Sequence, residues 1–428
     1  MSNSIYQRLP AFKWRNFRLF FSGQLLSMSG TFMTQQLTIP WMIYDLTKSA
    51  WLLGLVGFLQ FLPTLLLIPF SGVLADTPNG TLRERWSRRD LLMLVQILGI
   101  SVSATLTVLT FLDIITFGSL LILSILNGML KGLDMPIRHT IVTETVDDRN
   151  DWGNAIALNS VMLSSSLVLG PAIGGILIAT LGVKYCFLYD TLSYIAAIVT
   201  VKAMQMPPKS TPVTTENDTW QKLREGFRYV SSMQPIRVIL LMLALHGLVG
   251  ISYIAVLPIF AAEILHGNAT TMAALGMAGP IGSLCACSYL SMRRSILGLE
   301  KLIRVAQVAI GVSLISFALS RQLWLSLLTL VMVGGFGILQ ITSSNTIIQT
   351  LVPDDKRGRV MSFYALAMVG MMPFGNLLAG SLAQVMGAPK ALIVCGSVCI
   401  LGSIWYSSHL SQVSSWIKKE VDCTIANT

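Results

Sequence analysis

Gln349-Thr-Leu-Val-Pro-Asp-Asp-Lys-Arg-Gly-Arg359 packs five charges into the six residues from Asp354 to Arg359. The run before it, Leu323 to Ile348, carries no charged residue, and neither does Val360 to Met386 after it. A helix needs about 20 apolar residues to cross a bilayer, and both flanks are long enough. The stretch therefore reads as a short, mostly basic turn between two membrane spans. A fainter copy stands earlier in the chain, Thr143-Glu-Thr-Val-Asp-Asp-Arg-Asn-Asp-Trp-Gly153. Aligning Val146 with Val352 separates the copies by 206 residues in a chain of 428. An internal repeat at nearly half the length marks a duplicated unit.

Outward from this turn, charged punctuation leaves twelve apolar runs, at about 17–43, 50–75, 90–112, 117–142, 154–180, 184–204, 237–262, 269–290, 301–320, 323–350, 359–385 and 389–409. Hydrophobic residues make up 53% of the chain and charged residues 12%, about half the charged share of a soluble domain. So few polar groups cannot cover a water-soluble globule of this length. The runs are too long, and alternate too little, for barrel strands. The expected fold is all-α and integral to the membrane, with twelve spans in two pseudo-symmetric six-helix bundles. The expected divisions are a lead over 1–16, bundles over 17–204 and 237–409, a polar linker over 205–236 with a basic amphipathic helix, and a tail over 410–428. Phe12 and Trp14 of the lead are expected at the lipid headgroups, and the linker helix on an anionic leaflet.

The net charge of +10 is explained by topology. With twelve spans and the first end inside, about 24 of the 30 Lys and Arg fall on inner segments, and the outer side keeps only Lys48, Lys184, Arg321 and Lys390. This positive-inside bias puts both termini in the cytoplasm and makes the bilayer, rather than nucleic acid, the partner of the charge. The first apolar run holds Gln24, Gln35, Gln36 and Pro40 and lacks a small-residue cleavage site, unlike a signal peptide. Six scattered cysteines and four scattered histidines show no metal spacing. No phosphate-cradling Gly-x-x-x-x-Gly-Lys loop and no catalytic set is visible, so neither an enzyme nor a cofactor is expected.

Charges inside the spans are expensive and need a reason. The fourth span carries Lys131-Gly-Leu-Asp134-Met-Pro-Ile-Arg138. Spacings of three and four put the three charges on one face, where Asp134 can pair with either cation. They read as a gate or a substrate contact, with snorkelling near the inner interface as the alternative. Asp190 opens the sixth span and is the other intramembrane acid; Asp45, Asp113 and Glu263 sit near outer ends.

Three motifs carry a resemblance to the major facilitator superfamily. The second span ends in Gly72-Val-Leu-Ala-Asp76, followed after Thr77 to Glu84 by Arg85-Trp-Ser-Arg88-Arg89; the fifth carries Gly170-Pro171-Ala-Ile-Gly174-Gly175. Gln349 to Ser362, with Asn16-Phe-Arg18 and Tyr44-Asp-Leu-Thr-Lys-Ser49, most resembles the branch of bacterial multidrug, macrolide and enterobactin exporters. The resemblance implies two parallel six-helix repeats and a central cavity lined by spans 1, 4, 7 and 10. Its polar candidates here are Gln24, Gln36, Asn127, Lys131, Asp134, His246, Tyr253 and Gln340. Asp134 and Asp190 are the candidates for proton coupling. It also implies an inner gate in which Asp76 holds the start of span 11 near Gly358, helped by Arg138 or Arg85, with Gly72, Arg88, Arg89, Arg357 and Arg359 around it. The expected function is proton-coupled export of a siderophore or amphipathic drug across a bacterial inner membrane by a monomer. An importer of a siderophore or metabolite is the second reading, and a non-transporting sensor or scaffold the third.

Overall fold

The computed structural model describes residues 9–76, 88–205, 219–293 and 295–426, with the side chains of 67–76, 88, 136, 139, 219–223, 291, 354, 355 and 421–426 excepted. Among these residues there are helices and turns and no strand. Helix α1 runs through Arg15–Met33, a π-helical turn at Thr34–Thr38, and Ile39–Thr47. Then come α2 (Ala50–Asp76), α3 (Arg88–Phe111), α4 (Phe117–Glu144), α5 (Trp152–Thr180) and α6 (Lys184–Ala203). A linker helix, Thr219–Ser232, leads into α7, which strings together Gln234–Leu245, a π-helical turn at His246–Gly250, Tyr253–Ile259 and a second π-helical turn at Phe260–Ile264. The chain closes with α8 (Ala269–Met292), α9 (Leu299–Leu319), α10 (Leu323–Leu351), α11 (Asp354–Val369, then Met372–Met386) and α12 (Ala388–Ala426).

Among the described residues, ten helices are long and apolar enough to cross a membrane, with Ala50–Leu66 a shorter apolar stretch. Their outer faces keep apolar side chains such as Ile176, Val199 and Leu401 more than half exposed, the surface that lipid covers. Local chemistry sets several ends. Thr116 accepts the Ser119 N–H at 3.3 Å while Ser119 accepts the Thr116 N–H at 3.0 Å, a reciprocal cap on α4. α11 breaks before Pro373, which has no N–H to continue the helix and whose ring crowds the carbonyl four residues back.

The described contacts form two units: Met1–Lys48 with Leu59–Thr215 and Asn268–Met277, and Ser49–Phe58 with Glu216–Gly267 and Ala278–Thr428. In the first, Phe17, Phe20, Leu92, Ile141, Val146, Ala155 and Val201 make a core near the helix ends, joined by Phe12 and Trp14. The lead packs against the helix ends: Pro10–Lys13 is a 3-10 turn, and the Trp14 indole N–H donates to Asp151 Oδ2 at 3.0 Å. The Asn16 side chain donates to the Gln205 carbonyl (2.7 Å) and accepts the Gln205 N–H (3.1 Å), clamping the chain just past α6. α5 lies close on α1, because Gly170 and Gly174 present no side chain to Met33.

In the second unit the core is built from Ile236, Ile239, Leu243, Ile303, Ile348, Val352, Val360 and Tyr406. The linker helix docks on the start of α11. Val230 is buried, Glu225 pairs with Arg359 at 2.9 Å, and Lys356 lies over the Tyr229 ring at 4.7 Å. α12 continues past 409, because Tyr406, Val413 and Ile417 recur at helical spacing and are buried with α9. The Ser414 hydroxyl there donates to Glu300 at 2.9 Å. Val146 and Val352, the residues that align the two turns, are both buried.

Candidate functional site

The polar heart of the first unit is the charged face of α4. Arg138 donates to Asp134 Oδ2 through Nε at 3.0 Å and through Nη2, and its Nη1 donates to Gln24 Oε1 on α1. Its guanidinium is buried, and Asp134 Oδ1 is buried without a hydrogen-bond partner. One turn away, Lys131 Nζ donates to Gln35 Oε1 at 3.0 Å, and Gln35 Nε2 donates to Asn127 Oδ1 at 3.1 Å. The Lys131 ammonium also lies 5.2 Å from the Phe32 ring centroid and 5.6 Å from that of Phe61, where ring quadrupoles attract a cation. Lys131 is the fifteenth of the 28 residues of α4, near mid-helix.

Between these groups lies a cavity of about 60 Å³ whose lining includes Ser27, Gln96, Lys131, Asp134, Arg138 and Tyr194. It has room for one small polar group and not for a whole organic molecule. A larger groove of about 550 Å³ between α9, α10 and α12 is a different kind of surface. Val305, Val308 and Ile404 on its wall are exposed, and Arg304 is its one charged lining residue.

Gln24, Asn127, Lys131, Asp134 and Arg138 are thus brought together, while Asp190 and Gln36 are not among them. Asp190 is buried and accepts the Ser103 hydroxyl at 2.8 Å, behind α1 at Gly30. The amide that engages Lys131 is Gln35, one residue from the expected Gln36. Its signal was in the sequence: Gln24 and Gln35 are eleven residues apart, three helical turns on one face. Phe32, Phe61 and Tyr194 carried no such signal, because an aromatic residue in a span reads as packing.

The second unit repeats the frame without the charge. The positions 206 residues after Lys131, Asp134 and Arg138 are Gly337, Gln340 and Ser344. Gln340 Nε2 donates to the Met242 carbonyl at 3.1 Å; a Cβ on Gly337 would stand 3.2 Å from the His246 ring. His246 and Tyr253 are both buried, and His246 Nδ1 has no partner there. The helix packing is repeated too: Gly375 of α11 abuts Gly247 in the π-helical turn of α7, as Gly170 abuts Met33 just before that of α1.

Of the gate candidates, Arg85 and the side chains of Asp76 and Arg88 lie outside the described residues, as does the surrounding of Gly72. Arg89 donates to the carbonyls of Val201 (3.1 Å) and Lys202 (2.7 Å), capping the end of α6. Arg138 is engaged within the first unit, by Asp134 and Gln24. Arg359 pairs with Glu225, Arg357 donates to the Val352 carbonyl at 3.4 Å, and Gly358 is exposed with open space where a Cβ would stand. On α5, Pro171 faces Gly276, and a Cβ on Gly175 would meet Ala273 at 2.9 Å. Among the described residues no group of three or more His, Cys, Asp or Glu could hold a metal ion.

Long apolar helices with exposed apolar faces, and a buried Asp134–Arg138 pair among amides inside the first unit, define a multi-pass membrane protein. The chain belongs to the transmembrane secretion effector family of the major facilitator superfamily, whose family model matches residues 7–423. It is 23% identical over 90% of its length to the staphyloferrin A transporter of Staphylococcus aureus, covering 94% of that protein. It is 25% identical over 81% of its length to the multidrug efflux pump Tap of Mycolicibacterium fortuitum, covering 84% of it. Its fold matches the crystal structure of a bacterial homolog of the human lysosomal transporter Spinster, with a TM-score of 0.69, 13% identity, and coverage of 95% of this chain and 97% of the other.

Proposed function

We propose that the protein exports a small organic compound, a siderophore or an amphipathic drug, across a bacterial inner membrane by proton-coupled alternating access. The observation that carries the reading is the buried carboxylate of Asp134: one oxygen is held by Arg138 and the other, unpartnered, stands where Lys131 and Arg138 line a cavity. In this reading Asp134 is the coupling carboxylate. The sequence carries no ATP-binding loop, so the driving force is an ion gradient. One charge crossing 100 mV is worth about 2.3 kcal/mol, about fifty-fold accumulation. The relatives named as a siderophore transporter and a drug efflux pump support the two substrate classes. In this reading Asp76 closes the inner end on the start of α11, whose N–H groups favour an acid, both chain ends are cytoplasmic, and the protein works as a monomer with bundles over 17–204 and 237–409.

The test is accumulation in everted membrane vesicles of a panel of labelled siderophores and lipophilic dyes. Accumulation of one of them that collapses with an uncoupler and is lost in Asp134→Asn is the expected result. Accumulation in whole cells, with none in everted vesicles, overturns export in favour of import.

A further inference from the structure

Four or more residues in from either end, the apolar spans of the chain contain four charged residues: Lys131, Asp134, Arg138 and Asp190. Two of the four are neutralised as a pair, because Arg138 closes on Asp134 through two donors. Asp190 does not border the cavity; its carboxylate is held on α6 by Ser103 of α3. Lys131 remains. Its ammonium is held by neutral partners, the Gln35 amide and the rings of Phe32 and Phe61. Lys131, Asp134 and Arg138 line one cavity with two cations and a single acid. Because Arg138 takes Asp134 through two donors, the cluster keeps an excess positive charge, costly at mid-helix and set on the wall of a cavity fit for one small group. The repeat has no equivalent of this cluster, since α10 has Gly337, Gln340 and Ser344 at the matching positions and no charge from Leu323 to Val352.

We infer that Lys131 is the recognition point for an anionic group, a carboxylate or an acidic phenol, on the transported molecule, so that the substrate is an organic anion and not a cationic amphiphile. The inference rests on the transport reading above and narrows its substrate class. An incoming carboxylate supplies the second negative charge that the cluster lacks, accepts from the ammonium in place of Gln35 Oε1, and frees the Gln35–Asn127 amide pair to turn toward the same ligand. The rings of Phe32 and Phe61 remain as an apolar shelf for the rest of the molecule. A permanent cation meets the opposite balance: against the single acid of the lining, Asp134, stand Lys131 and Arg138, which together repel it.

The test uses the purified full chain in lipid nanodiscs, with no gradient, and three probes on one fluorescent scaffold. These are dansylglycine (a carboxylate), its neutral methyl ester, and a dansyl quaternary ammonium. The wild type is expected to bind dansylglycine at least tenfold more tightly than the other two. Lys131→Met removes that preference, Lys131→Arg keeps most of it, and Asp134→Asn, which raises the local charge by one, tightens dansylglycine severalfold. Lys131→Gln serves if the methionine variant fails to give a monodisperse protein. A wild type that favours the ester or the cation, or binds none of the three, overturns the inference, as does a preference that survives in the methionine or glutamine variant. Equilibrium binding reads charge selection alone. Export can fail in everted vesicles while the binding preference stands, so the two failures are distinct.

Discussion

Gly170 on α5 meets Met33 on α1 so closely that a Cβ on the glycine would stand 2.8 Å from the Met33 nitrogen and 2.8 Å from the Ser29 carbonyl oxygen. The neighbour on that side is backbone, which cannot swing away. Two residues beyond Met33, in the π-helical turn, comes Gln35, the residue that holds Lys131. A methyl group at 170 therefore acts on the site through the path of α1. Gly170→Ala is expected to cost about 1–3 kcal/mol, as overpacking does, and to reduce transport at least tenfold. Gly153→Ala, with nothing within 4 Å of its Cβ, is the control; helix propensity predicts unchanged or slightly higher stability. Thermal unfolding in detergent and vesicle transport measure the contrast.

The pair on α4 yields a second expectation. Arg138→Met strands a buried carboxylate, at a cost of about 3–5 kcal/mol. Asp134→Asn with Arg138→Met removes both charges and is expected to recover a large part of that loss. A double-mutant cycle on stability checks it; additive losses would show that the two side chains do not act as a pair.

The Glu225–Arg359 ion pair is about half exposed on both sides, and water screens such pairs. Its coupling energy is expected at about 0.2–1 kcal/mol, falling as salt is raised. Glu225→Gln is expected to leave transport within about twofold of wild type, since apolar contacts such as those of Val230 also hold the linker helix. A transport loss of tenfold or more would assign the pair a working role.

Truncation after Leu410 removes Val413 and Ile417, both buried, and the Ser414 hydroxyl bound to Glu300. Each apolar side chain contributes about 1.5–3 kcal/mol by burial. The shortened protein is therefore expected to unfold at a clearly lower temperature, whereas stopping at Glu420 is expected to leave the melting temperature nearly unchanged.

The helices were legible because a span is a statement about composition: some 20 residues without charge can be read with no knowledge of their neighbours. The α4 charges were legible for the opposite reason, since they violate that rule. Lys131, Asp134 and Arg138 stand out because the lipid-facing alternative is so costly. Choosing Gln35 over Gln36 needed the rotation of α1, which the helical repeat and the π-helical turn set together. The docking of the linker helix was hidden because its basic amphipathic pattern points to an anionic surface, whereas the contacts made with α11 run through the acid Glu225, facing Arg359, and the Tyr229 ring under Lys356. The partner of Trp14 was hidden too, because Asp151 lies 137 residues away in the chain.

The two copies of the duplicated unit have kept different things. Close glycine packing beside a π-helical turn persists in both, at Gly170 and at Gly375, whereas the α4 charges have no counterpart on α10. The scaffold is therefore present twice and the ionic cluster once. Uncharged substitutions at 340 and 344 are expected to leave charge selection intact, whereas a change of charge at 131, 134 or 138 alters it. One polypeptide thus divides its work between a half that carries the ions and a half that does without them.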